Sequence, residues 1–345
     1  MKKVLYINYM KQKGHINFDT IHIKALISQG FDVKIVMHEE ISNLMVFPKE
    51  LYALNIPKSF DSPLNNSIVN RLYYILTLAY LKMKLSFRHY DYVIISNLDE
   101  ISMGICPLNK HMYLFCHGNA NDFCNNIKSF FLKKLSSNNT FLVFNKQMES
   151  IFLHHNILNT SIISHGCPTP YNVDTSCIKL LPLQENMHIV FHPSSKIDQT
   201  FLYNICNEQV NKNLKEQNVI LVLRSNSTIS NQFSNIMIIN KYLTAKDYEY
   251  IYQKSDIILL AYPNNFANQV SGVSYECIAN HKKLLALQNK SLLYCEQYFN
   301  YSPFFSTTAE MLNKITELLD KPNFGPIITA KDLIPNYKLI FNKKI

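Results

Sequence analysis

Glycine is scarce in this chain, with seven in 345 residues, and no strand-like segment is followed by G-x-G-x-x-G. Without that glycine pattern the backbone cannot fold closely round a dinucleotide pyrophosphate, which argues against a nicotinamide dehydrogenase. Arginine is scarcer still. Only Arg71, Arg88 and Arg224 occur, so the formal net charge of +9 rests on lysine. The excess is mild and forms no basic run of the kind that tracks nucleic acid, so no nucleic-acid partner is expected. It suits a phosphorylated ligand or an acidic membrane surface better. Long apolar runs are missing too. The longest, Leu72 to Leu81, is about half of the roughly 20 residues a membrane-spanning helix requires. The opening MKKVLYINYMKQKG has no small-residue cleavage pattern of a signal peptide. The eight cysteines show no C-x-x-C pair and no paired spacing with histidine, so they read as reduced and mostly buried. A cytoplasmic protein is expected, with the inner face of the plasma membrane as its other possible site of action. No clustered carboxylates suggest a magnesium or manganese site, so neither a metal nor a cofactor is expected.

What the chain does have is an alternation of apolar strands and helical stretches from end to end, which predicts α/β layers built on parallel sheets. In the first half the strands are expected at Val4–Tyr9, Val33–Met37, Tyr92–Ser96, Met112–Cys116, Thr140–Phe144 and Ser161–Ser164. The pattern restarts at His188–His192 and continues through Val219–Arg224, Ile236–Ile239, Ile257–Ala261 and Leu284–Ala286. Between the halves, 167–186 holds Pro168, Pro170 and Pro182 without helical period and reads as a linker. The expected organisation is a first domain at 1–166, a second at 187–325, and a C-terminal segment at 326–345 that can return to the first domain. Two such open sheets would face each other across a cleft, with ligands at the carboxyl ends of the strands.

The segment from Tyr242 to Ala286 is the most telling. A polar helix from Thr244 to Lys254 leads into the strand Ile257–Ala261. A loop ending in Ser271-Gly272 then opens a helix carrying Glu276, and the strand Leu284–Ala286 follows. The free N–H groups of a helix start suit a phosphate, and an acid one turn inside can accept bonds from vicinal hydroxyls. This reads as a site for a phosphorylated ligand with a sugar attached.

Other candidates follow strands. Gly14 and His15 lie after the first, either in an ordinary turn or in an acceptor or diphosphate loop. Asp99 and Glu100, like His38, Glu39 and Glu40, are either helix caps and first-turn acids or a general base. His117, followed by Gly118, is placed to meet a sugar hydroxyl or to take a proton, against the alternative of a structural histidine. His165-Gly166 reads as a hinge. Ser194, Ser195 and Lys196 suit a diphosphate, and Arg224 ends the next strand. Together Lys196 and Arg224 could stabilise a leaving diphosphate without a metal.

These residues resemble the GT-B glycosyltransferases, in particular the large retaining group called family 4 or group 1. KVLYINYMKQKGHINFDTIHIKALISQGFDVKIV looks like that family's opening, FLVFNKQMESIFLHHNILNTSIISHGCPTP like its domain junction, and Ile239 to Ala286 like its nucleotide-sugar site. The resemblance implies Lys196 and Arg224 on the diphosphate, Ser271 and Gly272 on the phosphates, and Tyr242 and Leu243 beside the base. It implies Glu276 on the donor ribose and His117 facing the transferred sugar, with Asp99 or Glu100 as base if configuration inverts. The chain departs from the family pattern at Asn268, where Glu-x7-Glu has its first acid, and at Ser194-Ser195, where an arginine is usual. The implied reaction moves a sugar from a nucleoside-diphosphate donor to a saccharide or lipid-linked glycan acceptor, in surface polysaccharide synthesis. The alternatives are a nucleotide-sugar epimerase of the same fold and a non-catalytic two-domain sugar- or nucleotide-binding protein. The basic, aromatic stretch Asn70 to His89, which lacks acids, reads either as a core-facing helix or as one that rests on lipid headgroups.

Overall fold

Apolar runs such as Val4–Ile7 and Val190–Phe191 are buried throughout, as strands covered by helices on both faces must be. The computed structural model describes residues 1–11, 13–62, 66–109, 111–172, 187–226, 233–241 and 243–342. Tyr242 and most of the expected linker lie outside the described residues. The chain forms two units: Met1–Gly166 with Asn268–Val270 and Leu333–Ile345, and Cys167–Ala267 with Ser271–Asp332.

The first unit is a seven-stranded sheet with all neighbours parallel. Its strands are β1 (Lys3–Asn8), β2 (Asp32–His38), β3 (Tyr52–Ile56), β4 (Tyr92–Ile95), β5 (Tyr113–Phe115), β6 (Thr140–Val143) and β7 (Thr160–Ile162). Their order is β3-β2-β1-β4-β5-β6-β7. The winding reverses between β1 and β4, which pair from Val4↔Tyr92 to Ile7↔Ile95. That reversal opens a crevice at the strands' carboxyl ends. The edge strand β3 was not expected from the sequence. Its YALNI alternates half-buried with exposed residues, and its pairing with β2 slips between Ile35 and Val36.

The C-terminal helix Tyr337–Asn342 belongs to this unit. Phe341 stacks on Tyr92 with ring centroids 3.8 Å apart. The Gln29 side chain accepts from the N–H groups of Tyr337 and Lys338 at 2.9 and 3.2 Å and donates to the Pro335 carbonyl at 2.6 Å. At Gly166, φ is +76° and a Cβ would fall 2.4 Å from the Ile21 side chain. Only glycine fits that corner.

The second unit repeats the winding in a six-stranded parallel sheet. Its strands are β8 (His188–His192), β9 (Val219–Arg224), β10 (Ile236–Ile239), β11 (Ile257–Leu260), β12 (Lys283–Leu287) and β13 (Phe304–Phe305), in the order β10-β9-β8-β11-β12-β13. Val190, Leu221, Leu259 and Leu285 from four strands meet Leu202 and Ile315 from the helices in one core. The helices start where caps allow: the Asp198, Asn207, Thr244 and Thr307 side chains accept from first-turn N–H groups. The two-residue edge strand β13 carried too little pattern to be expected. Among the described residues no helix is long and apolar enough to cross a membrane.

Candidate functional site

In the second unit the winding reverses between β8 and β11; Ser194, Ser195 and Lys196 follow β8, and Ser271, Gly272 and Glu276 follow β11. His192 closes β8 fully buried, with Nδ1 donating to the Leu259 carbonyl at 2.9 Å. Burial pushes its imidazole down to about 4, so it is a neutral structural group at physiological pH. The chain then turns through Pro193, and the Lys196 N–H donates to Ser194 Oγ at 3.1 Å. The Lys196 side chain is exposed, with its ammonium 5.4 Å from the centre of the Phe266 ring. Arg224, at the end of neighbouring β9, donates from Nη1 to the Pro193 carbonyl at 3.4 Å. Both cations therefore border one short loop. Ser195 lies in the same loop, half-buried.

After β11 the Tyr262 hydroxyl meets Ser271 Oγ at 2.8 Å, and its ring stacks on Phe266. Ser271 is buried and fully engaged. Its N–H donates to the Tyr294 hydroxyl at 3.0 Å, and its carbonyl accepts from Ser274 Oγ at 2.7 Å. The Ser271 hydroxyl is thus held inside the fold. Gly272 is exposed and opens the helix Gly272–Ala279, whose start has no side-chain cap. The first-turn N–H groups are what this helix offers an anion.

One turn in, Glu276 Oε2 accepts from the Tyr248 hydroxyl at 2.6 Å. Tyr248 stands on the helix Ala245–Lys254 and packs against Tyr171 and Tyr252. Part of Glu276 stays open to solvent, yet the surrounding tyrosines displace enough water to push its carboxyl up to about 7. Hydrogen bonds from Tyr248 and Tyr171 oppose that rise, and Glu249 adds to it. Leu243 is buried immediately before the Thr244 cap. Asn268, eight residues before Glu276, has φ +60°. Asparagine tolerates that left-handed conformation, whereas glutamate adopts it at a cost of roughly 1–2 kcal/mol.

In the first unit, His117 follows β5 and its Nε2 lies 3.0 Å from the Ser96 carbonyl. A carbonyl only accepts, so Nε2 carries the proton and Nδ1 is left as an acceptor. The ring sits among Phe18, Phe144 and His15. Burial, with His15 and His165 nearby, holds its pKa well below the usual histidine value. His117 is therefore held as a neutral ring with Nδ1 as its acceptor atom. His15 is pushed down to about 4 by burial. Gly14 is exposed, with open space around its missing Cβ.

Asp99 caps the helix Glu100–Ile105. Its Oδ1 accepts from the Ser102 N–H at 2.8 Å and its Oδ2 from Arg71 Nε at 3.2 Å. Glu100 is buried between Asn119 Nδ2 at 3.1 Å and Lys128 Nζ at 3.3 Å. Of the two readings open in the sequence, the geometry displays the cap and the buried ion pair.

Two groups escaped the sequence reading. Asp19, in the helix Ile16–Ser28, accepts from the Tyr6 hydroxyl at 2.8 Å and from Asn8 Nδ2 at 2.7 Å, and burial raises it to about 6. Its only signal was an acid on the apolar side of that helix, one turn before His22. Tyr248 had none, because its partner is 28 residues away. Among the described residues no group of three or more His, Cys, Asp or Glu could hold a metal ion.

No protein-family model matches the chain, and no curated protein matches it. Solved structures do. A protein of Listeria monocytogenes provisionally named a UDP-N-acetylglucosamine 2-epimerase aligns at TM-score 0.63 and 11% identity, over 94% of this chain and 89% of that one. Anabaena Alr3699/HepE, solved with UDP and glucose, aligns at TM-score 0.59 and 11% identity, over 93% of this chain and 90% of its own. WaaG, a glycosyltransferase involved in lipopolysaccharide biosynthesis, aligns at TM-score 0.52 and 11% identity, over 93% and 91%. The chain has the GT-B fold of these proteins, two Rossmann-like domains in sequence.

Proposed function

We propose that this chain is a glycosyltransferase that moves a sugar from a nucleoside-diphosphate donor to a saccharide or lipid-linked glycan acceptor in surface polysaccharide synthesis. The observation that carries the reading is Glu276, one turn inside an uncapped helix start, with Lys196 and Arg224 bordering the neighbouring loop. In this reading the first-turn N–H groups and the two cations take the diphosphate, and the ionised Glu276 accepts from the ribose diol. The bond from the sugar's anomeric carbon to the diphosphate breaks, and a new bond forms to an acceptor hydroxyl, whose proton passes to the departing diphosphate. Charge developing on the leaving diphosphate is met by Lys196 and Arg224, so the reaction needs no metal. Leu243 and Tyr242 are assigned to the base. The first unit takes the acceptor, with His15 and Gly14 in its first loop and His117 Nδ1 accepting from a sugar hydroxyl. Asp99 and Glu100 serve as scaffold for the end of β4.

A second reading, a nucleotide-sugar epimerase, draws support from the Listeria neighbour. Incubation with nucleotide sugars, with and without glycan acceptors, separates the two. Acceptor-dependent release of nucleoside diphosphate supports transfer, and a changed sugar configuration without acceptor supports the epimerase. Neither product in any combination would contradict both.

A further inference from the structure

The helix Ser67–Lys84 has a second apolar face that the first unit's core does not use. Thr77, Leu78 and Leu81 face inward. At about 100° per residue, positions 68, 72, 76 and 83 fall within an arc of about 80°, roughly opposite that buried side. Ile68, Leu72, Leu76 and Met83 are 75%, 55%, 48% and 77% exposed. A single exposed aliphatic is ordinary, but a ridge of four along an 18-residue helix is not.

The charge beside the ridge has one sign. Lys82, Lys84 and Arg88 are exposed at the C-terminal end, and no acid occurs from Asn66 to Tyr90. Among the described residues none of these three cations pairs with a carboxylate. An ordinary solvated helix interleaves both signs. An apolar ridge with cations alone is complementary to a surface that is oily beneath and negative on top. We propose that this helix lies in the plane of an anionic lipid surface, its ridge at the acyl boundary and Lys82, Lys84 and Arg88 on the headgroup phosphates. The proposal stands apart from the donor-site reading, since it concerns a different element and needs no nucleotide.

The test is sedimentation of the full chain with vesicles of phosphatidylcholine alone and of equimolar phosphatidylcholine and phosphatidylglycerol. Wild type should partition onto the anionic vesicles only. Each cation near such a surface contributes about fivefold, so Lys82→Gln/Lys84→Gln/Arg88→Gln should weaken partitioning by about a hundredfold. Ile68→Gln/Leu72→Gln/Met83→Gln should weaken it at least tenfold with an unchanged Tm. If that ridge variant unfolds, the charge variant, altered only at exposed positions, decides. Equal binding to both vesicles, no binding, or wild-type binding by the charge variant would overturn the proposal. So would a wild-type dimer that the ridge variant abolishes without vesicles, since the ridge would then be covered by a second copy.

Discussion

Tyr248 donates its hydroxyl to Glu276 Oε2 over 2.6 Å, and that bond couples two helices of the second unit at the one carboxylate assigned to the donor. Tyr248→Phe keeps the ring packing and removes the donor. A hydrogen bond to an ionised group contributes about 1.5–3 kcal/mol, so nucleotide binding at pH 7 should weaken roughly tenfold or more. Isothermal titration of wild type and variant measures this. The deficit should shrink at higher pH, where Glu276 is ionised without help.

Burial pushes the Glu276 carboxyl up to about 7, and in the proposed donor site the diol would be bound by its ionised form. Donor affinity should therefore rise about tenfold between pH 6 and 8, as the ionised fraction climbs through the pKa. Glu276→Gln should bind weakly with no such rise. The same shift acts on stability in the opposite sense. Glu276 is raised from 4.5 to about 7 and Asp19 from 3.8 to about 6, so both hold protons in the folded state that the unfolded chain has released. Without ligand, stability should be greatest below about pH 4 as far as these two acids are concerned. It should fall as pH rises towards 7, and Glu276→Gln should flatten that slope. Denaturant midpoints across pH check the sign.

His117 is predicted to stay neutral at pH 7, with its proton on Nε2. Nitrogen chemical shifts of the imidazole report the tautomer directly. A titration near the ordinary histidine value of about 6.5 would contradict the burial argument.

The Tyr337 hydroxyl lies 2.7 Å from buried His22 Nδ1 and fastens the C-terminal helix to the first unit. Tyr337→Phe leaves that nitrogen without its partner, at a cost of about 1–3 kcal/mol. The first unit's Tm should fall by several degrees, and protease should cut sooner near Leu333–Asn342. An unchanged Tm would show that the Tyr92–Phe341 stack holds the helix alone.

Much of the fold was legible because parallel strands buried on both faces leave unbroken apolar runs, as in β1, β8 and β11. Only the edges escaped, where β3 is half exposed and β13 has two residues. At the site, strand, loop and helix start around Glu276 could be read in order along the chain. Ser271 could not be placed, because Tyr262 and Tyr294, which occupy its polar atoms, reach it only through tertiary packing. Asp99 shows the same limit. A cap and a base look alike in sequence, and the contacts of Asp99 with Ser102 and Arg71 exist only in space.

The central claim is that the second unit binds a nucleoside diphosphate through Glu276 and the uncapped helix. Thermal shift against a panel of nucleoside diphosphates and their sugars, with and without EDTA, tests it most directly. The account predicts that one nucleotide family raises Tm, that EDTA leaves the shift intact, and that Glu276→Ala abolishes it. If no nucleotide shifts Tm, or if Glu276→Ala responds as wild type does, the donor-site assignment is wrong.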